Sequence, residues 1–200
     1  MGLPQPQAHY TVEDYLQWPD DMRCELIGGE IWDMSPTPTV EHQTLVAALH
    51  LEIANQVREQ DKAGGGGKPP CVVLFAPVDV VLAFDTVVQP DLIVVCDPAK
   101  LANRKNVQGA PELVVEVLSP ATAAKDKREK KALYERSGVP QYLIVDPVSY
   151  YAELYTLRAG SYGIPQILAA EDTLALAVTP ELDKTLGELF GWPMPASSEA

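Results

Sequence analysis

The sequence predicts an α/β fold of the α+β type with a mixed sheet, in the core order helix, strand, strand, strand, helix, strand. Three observations carry this. Residues 40–57 repeat apolar side chains at helical spacing. Three β-branched runs follow, over 71–84, 87–96 and 112–118. A charged helical segment then leads to a short apolar strand, QYLIVDP, so 112–147 reads as a parallel, right-handed strand–helix–strand unit. Its strands are apolar on both faces, which fits burial between layers.

The elements follow in order. Thr11 is placed to cap a short helix, TVEDYLQW, with an acid three residues on, and Pro19 ends it. RCELIGGEIWDM has two apolar-rich arms around Gly28-Gly29 and predicts a hairpin. After the loop SPTPT, a helix runs from about Thr39 to about Gln60, with Val40, Leu45, Val46, Leu49, Ile53 and Val57 as its stripe. DKAGGGGKPP predicts a flexible connection, and a tight turn is expected near Asp85. DPAKLANRKNVQGAP is a polar loop. ATAAKDKREKKALYERSG is a helix closed by Gly138. YYAELYTLRAGSYG predicts a second hairpin, and TLGELF a short terminal helix. No repeat or second composition regime divides the 200 residues, so a single domain is expected over 1–200, with 159–200 as a C-terminal extension.

Composition bounds the class. No apolar run is long enough to span a membrane, and MGLPQPQAHY lacks the basic start and apolar stretch of a signal peptide. Gly2 follows the initiator Met, but the sixth residue is not Ser or Thr, so the myristoylation pattern is incomplete. Cys24, Cys71 and Cys96 are odd in number, widely spaced and set in apolar stretches. They read as buried free thiols, and with the other signals they imply a cytoplasmic protein. The net charge of −13 argues against a surface made throughout for nucleic acid. Six of the fifteen basic residues nevertheless lie between Lys125 and Arg136. With Asp126, Glu129 and Glu135 they give a local +3, which leaves −16 elsewhere. By composition alone such a run is a solvated helix face.

PELVVEVLSP holds the informative residue. On a strand, Glu112, Val114, Glu116 and Leu118 share one face, and Leu113, Val115 and Val117 the other. Glu116 therefore points into an apolar layer, where a carboxylate needs a partner. Asp91 opens the apolar strand PDLIVV, and if the two strands are neighbours the carboxylates converge. Close carboxylates repel unless a proton or cation joins them, and hard divalent cations favour such oxygens. At about 100° per residue, the helix that follows puts Ala123, Leu133, Tyr134 and Ser137 on one face. Asp126, Lys127 and Lys130 share that face, with Lys130 at its middle, and Lys125, Arg128, Lys131, Glu135 and Arg136 point away. Residue types alone slightly favour a buried ion-pair network of Asp91, Glu116 and Lys130 without chemistry.

VVQPDLIVV, followed by PELVVEVLSPATAAKDKREKKALYERSGVPQYLIVDP, resembles the Uma family of restriction-endonuclease-like proteins in the PD-(D/E)XK nuclease superfamily. RCELIGGEIWDMSPTPTVEHQ resembles it too, so the likeness spans roughly residues 10–158. The resemblance implies a restriction-endonuclease-like core in the order derived above. It implies Asp91 and Glu116 as the two acids, both ligands for Mg²⁺ or Mn²⁺. Leu118 stands where the superfamily places its lysine, and the resemblance implies that Lys130 in the next helix replaces it; the helical face favours Lys130 over Lys127, which lies nearer its edge. Glu25 and His42 match further family positions. Glu25 would approach the metal from the hairpin, and an exposed hairpin carboxylate is an equal reading. His42 would contact a metal-bound water or a phosphate, and a capping or core-edge histidine is the somewhat stronger reading. Glu41 is an alternative acid of the first long helix, and Tyr134 reads as packing.

The expected function is a Mg-dependent endonuclease hydrolysing DNA phosphodiester bonds. Asp91 and Glu116 would hold the metal, with Lys130 positioning the nucleophile or stabilising the transition state. Lys100, Arg104 and Lys105 are candidate phosphate contacts. The alternative is a non-catalytic interaction module on the same fold, favoured by the −16 outside the basic helix. No aromatic-rich platform selects RNA or another single strand. A homodimer would suit cleavage of both strands, with the hairpin tyrosines Tyr150, Tyr151, Tyr155 and Tyr162 as the candidate interface.

Overall fold

The structure is a computed structural model that describes residues 8–19, 22–34, 37–62, 71–179 and 182–194. The glycine-rich connection beyond Lys62 and the MGLPQP start lie outside the described residues.

Helix α1 (Val12–Tyr15) opens on a capping box. Thr11 accepts from the Asp14 amide, and the Asp14 carboxylate accepts from the Thr11 amide. Strands β1 (Cys24–Ile27) and β2 (Glu30–Asp33) form the expected hairpin, closing on a two-residue turn with Ile27 opposite Glu30. That turn needs positive φ at both central residues, and Gly28 (φ 59) and Gly29 (φ 77) supply it without steric cost.

Helix α2 (Val40–Lys62) starts where Thr39 Oγ1 accepts from the His42 amide. Leu45, Val46, Leu49, Ile53 and Val57 are buried, each stabilising by about 1.5–3 kcal/mol. Val40 does not join them. It is 84% exposed.

The two apolar runs after α2 behave differently from the continuous strands expected. The first divides into β3 (Val72–Phe75) and β4 (Val80–Ala83), the second into β5 (Thr86–Val88) and β6 (Leu92–Val95). Each break contains a proline, Pro77 or Pro90, which cannot donate to a ladder. Each run therefore crosses from one sheet to another. The supposed polar loop also holds a two-residue strand, β7 (Val107–Gln108), parallel to β4.

Strands β8 (Leu113–Val117) and β9 (Gln141–Asp146) pair in parallel, with Glu116 opposite Ile144. Between them Ala123–Lys125, a π-helical turn Asp126–Lys130, and Lys131–Arg136 run on without a break as helix α3. Gly138 (φ 79) ends it. Strand β10 (Tyr151–Thr156) returns beside β9, and after a bridge between Arg158 and Ser161 the chain adds β11 (Gln166–Leu168). The return arm of the second hairpin thus lies further along than YYAELYTLRAGSYG suggests. Tyr155 and Tyr162 are buried in the core, so half of the proposed tyrosine interface is unavailable to a partner. The short terminal helix, α4 (Leu186–Phe190), is present.

The larger sheet has the order β11-β10-β9-β8-β6-β3 and the smaller β2-β1-β5-β4-β7. The alternation of β8 separates two cores. Leu113, Val115 and Val117 pack with α2 and with Leu168, Leu174 and Leu186. Val114 and Leu118 pack with Leu133 and Tyr134 of α3 and with Ile27 and Val80 of the smaller sheet. Among the described residues, no helix is long and apolar enough to cross a membrane.

The cysteine expectation is corrected. Cys71 and Cys96 form a disulfide, and only Cys24 is a free, buried thiol. The antiparallel β3–β6 register pairs Val72 with Val95, so the two cysteines flank that pair directly opposite each other. With two of the three cysteines paired, the cysteines no longer point to a reducing compartment.

Candidate active site

The site forms where β8 ends, between the larger sheet, the hairpin and α3. The β6–β8 register pairs Leu92 with Val115, and one further step sets Asp91 opposite Glu116. Asp91 Oδ2 accepts from the Val117 amide at 2.8 Å and lies 3.2 Å from His42 Nε2. Glu116 is 4% exposed, and its Oε1 accepts from Lys130 Nζ and from the Tyr134 hydroxyl, both at 2.8 Å. Lys130, 5% exposed, also lies 3.0 Å from Glu25 Oε1 and 3.8 Å from Asp126 Oδ1. Glu25 enters from β1, 2% exposed, with its carboxylate held by the Gln89 amide, Lys125 and Lys130. All these residues line one cleft of about 590 Å³, except Tyr134, which lies behind Glu116. The exposed Glu41 and Arg23 stand on the rim of the same cleft.

The five predicted residues, Asp91, Glu116, Lys130, Glu25 and His42, therefore meet. Glu25 is no exposed hairpin acid, because β1 alternates and turns Glu25 and Ile27 toward the inner layer. Three neighbours escaped the sequence reading. Lys125 was expected to point away, yet it binds Glu25. The π-helical turn lengthens the repeat to i→i+5, so a uniform 100° wheel misplaces residues on its far side. Tyr134 does more than pack, since its hydroxyl holds Glu116. Its spacing of four from Lys130 was the available signal. Gln89 contributes only its amide, which no residue type announces. Conversely, Lys127 turns outward to Tyr151 and Glu153, and Lys100 is tied to Glu112 and the Ala110 carbonyl.

Four carboxylates (Glu25, Asp91, Glu116, Asp126) face two ammoniums (Lys125, Lys130), a formal −2 with His42 neutral. The titration directions follow. Desolvation, reinforced by Asp126, Asp91 and Glu25, pushes Glu116 well above the usual carboxylate range despite Lys130. Desolvation also raises Asp126. Desolvation opposes the charge on Glu25, but Lys130 and Lys125 outweigh it and hold Glu25 low. Burial likewise opposes the charge of Lys130, and the attraction of Glu116, Glu25 and Asp126 overcomes it, so the ammonium stays protonated. Burial opposes protonation of His42, but Asp91 outweighs it and raises the imidazole.

The comparison with known families fits this geometry. Residues 12–187 match the model of the Uma2 family, described as "Putative restriction endonuclease". The chain belongs to the Uma2 family. It is 31% identical over 156 residues to a protein of Synechocystis sp. that is described only as uncharacterized, covering 75% of each chain. It superposes with a TM-score of 0.72 on the crystal structure of a "putative nuclease belonging to DUF820" from Anabaena variabilis. That match covers 92% of this chain and 98% of the other at 17% identity, so it shows a shared fold. The Uma2 match covers α1 through the start of α4, and therefore every residue of the cleft.

Proposed function

We propose that this Uma2 protein is a metal-dependent nuclease that hydrolyses phosphodiester bonds in DNA. One observation carries the reading. Asp91 and Glu116 stand opposite each other at the floor of an open cleft, and each keeps one carboxylate oxygen, Oδ1 and Oε2, without a hydrogen-bond partner among the described residues.

The donor set fits Mg²⁺ or Mn²⁺. No group of three or more His, Cys, Asp or Glu side chains forms a metal cage among the described residues. Mg²⁺ does not require one, since it keeps several waters and binds through one or two carboxylates plus substrate phosphates. The formal surplus of −2, four carboxylates against two ammoniums, leaves the site short of positive charge. Asp91 and Glu116 would hold the ion, which supplies a water of lowered pKa and offsets charge on the scissile phosphate. The remaining steps belong to the chain. Lys130 fixes the Glu116 carboxylate and sets an ammonium beside the position of the phosphate. Tyr134 locks the same oxygen from behind, and the Val117 amide and His42 orient Asp91.

Glu116→Ala tests the reading. The parent should cleave plasmid DNA in Mg²⁺ or Mn²⁺, and the variant should lose cleavage while keeping its circular dichroism spectrum. Equal cleavage by both would remove the mechanism. A second reading, the non-catalytic module, is favoured by Lys130, whose ammonium already lies among three carboxylates. Calorimetric titration with Mn²⁺ separates the two, because the module should bind no ion and be indifferent to Asp91→Ala.

A further inference from the structure

The strongly negative chain raises the question of where a polyanion could lie. Six basic side chains sit on α3, and their partners sort them. Lys125, Lys127 and Lys130 are paired with carboxylates, and Lys131 rests 4.9 Å over the Tyr155 ring. Arg128 and Arg136 are exposed, and their side chains have no ion pair or hydrogen bond among the described residues. Both line one groove between α3 and the β1–β2 hairpin, with Ile27, Trp32, Glu129 and Ala132. Its charge is +1, two arginines against Glu129, on a chain that is otherwise acidic.

The groove adjoins the active site. Trp32 is the cross-strand partner of Glu25, so the two side chains share a face. Lys125 joins the compartments, binding Glu25 on one side and lying 5.4 Å over the Trp32 ring on the other. A strand whose phosphate reaches Asp91 and Glu116 would pass Lys125 and enter the groove.

We propose that the groove floored by Ile27 and Trp32 and flanked by Arg128 and Arg136 binds the sugar–phosphate backbone of the DNA strand leaving the active site. The arginines engage phosphates, and Trp32 gives a partly exposed aromatic surface to a sugar or base. This rests on the nuclease reading above and names where its substrate lies.

The test is fluorescence anisotropy of the full chain with a labelled short DNA duplex, in EDTA, over a salt series. Without metal, the assay reads binding alone. The double variant Arg128→Ala/Arg136→Ala should bind more weakly, and its slope of log affinity against log salt should shrink by about 2, near 0.9 for each lost phosphate contact. Arg58→Ala, an exposed arginine on α2, should match the parent. The proposal is overturned if the double variant keeps the parent's affinity and slope, if the parent does not bind, or if a poly-glutamate peptide displaces the duplex as well as unlabelled DNA does. A chain that cleaves DNA but ignores the two arginines sinks the groove alone. One that binds through them but cleaves nothing with Mg²⁺ or Mn²⁺ sinks the nuclease reading alone.

Discussion

Replacing Lys130 with methionine keeps the volume of the side chain and deletes its charge. Nζ sits 2.8 Å from Glu116, 3.0 Å from Glu25 and 3.8 Å from Asp126, all nearly inaccessible to water. Breaking a buried pair by removing one partner costs about 3–5 kcal/mol, because the remaining charge is uncompensated. Three carboxylates share the lost cation here, so Lys130→Met should fall in the upper half of that range at about pH 8. The pH dependence has a definite sign. Glu25 is held low in the parent, so its contribution is present above the carboxylate range and is lost as pH falls through its folded pKa. Glu116 and Asp126 are raised, so their contribution is present at low pH and is lost as pH rises through their folded values. Without Lys130 all three carboxylates shift upward, and protonation then relieves the penalty. Urea unfolding of parent and variant should show a large difference at about pH 8 that shrinks toward pH 5. A difference under about 1 kcal/mol at the higher pH, or one that does not change with pH, would refute the network account.

Three further outcomes follow from the same contacts. Tyr134→Phe removes one buried hydrogen bond to Glu116 and should cost about 0.5–1.5 kcal/mol in urea unfolding, with the circular dichroism unchanged. Asp91→Asn should leave the fold intact and abolish Mg²⁺-dependent plasmid cleavage, read on agarose gels against the parent. Cys71→Ser/Cys96→Ser should lower stability by about 3–4 kcal/mol, for a bridge closing a loop over a separation of 25 residues. Dithiothreitol should destabilise the parent and leave this variant unmoved.

The legible parts of the fold are those governed by one local rule. Strict alternation placed Glu116 between apolar neighbours, and the two cores on either side of β8 follow from it. The glycine pair fixed the first hairpin, because few other residues tolerate that turn. Helical spacing identified Lys130 as inward, since it lies on the same face as Leu133 and Tyr134. The same rule failed at Lys125, where the π-helical turn changes the repeat without any change in residue character. Long-range register was also hidden. Nothing near Cys71 or Cys96 states that β3 and β6 are antiparallel neighbours, and that pairing alone brings the sulfurs together. Nor do the apolar runs show that each serves two sheets, although Pro77 and Pro90 marked the breaks. The convergence of Asp91 with Glu116 needed both strand adjacency and register, which only the folded chain supplies.

Calorimetric titration of the purified chain with Mn²⁺ tests the central claim most directly, with Asp91→Asn and Glu116→Gln measured alongside. The account predicts one ion bound per parent chain and none in either variant, with all three folded by circular dichroism. A parent that binds no ion, or variants that bind as the parent does, would contradict it.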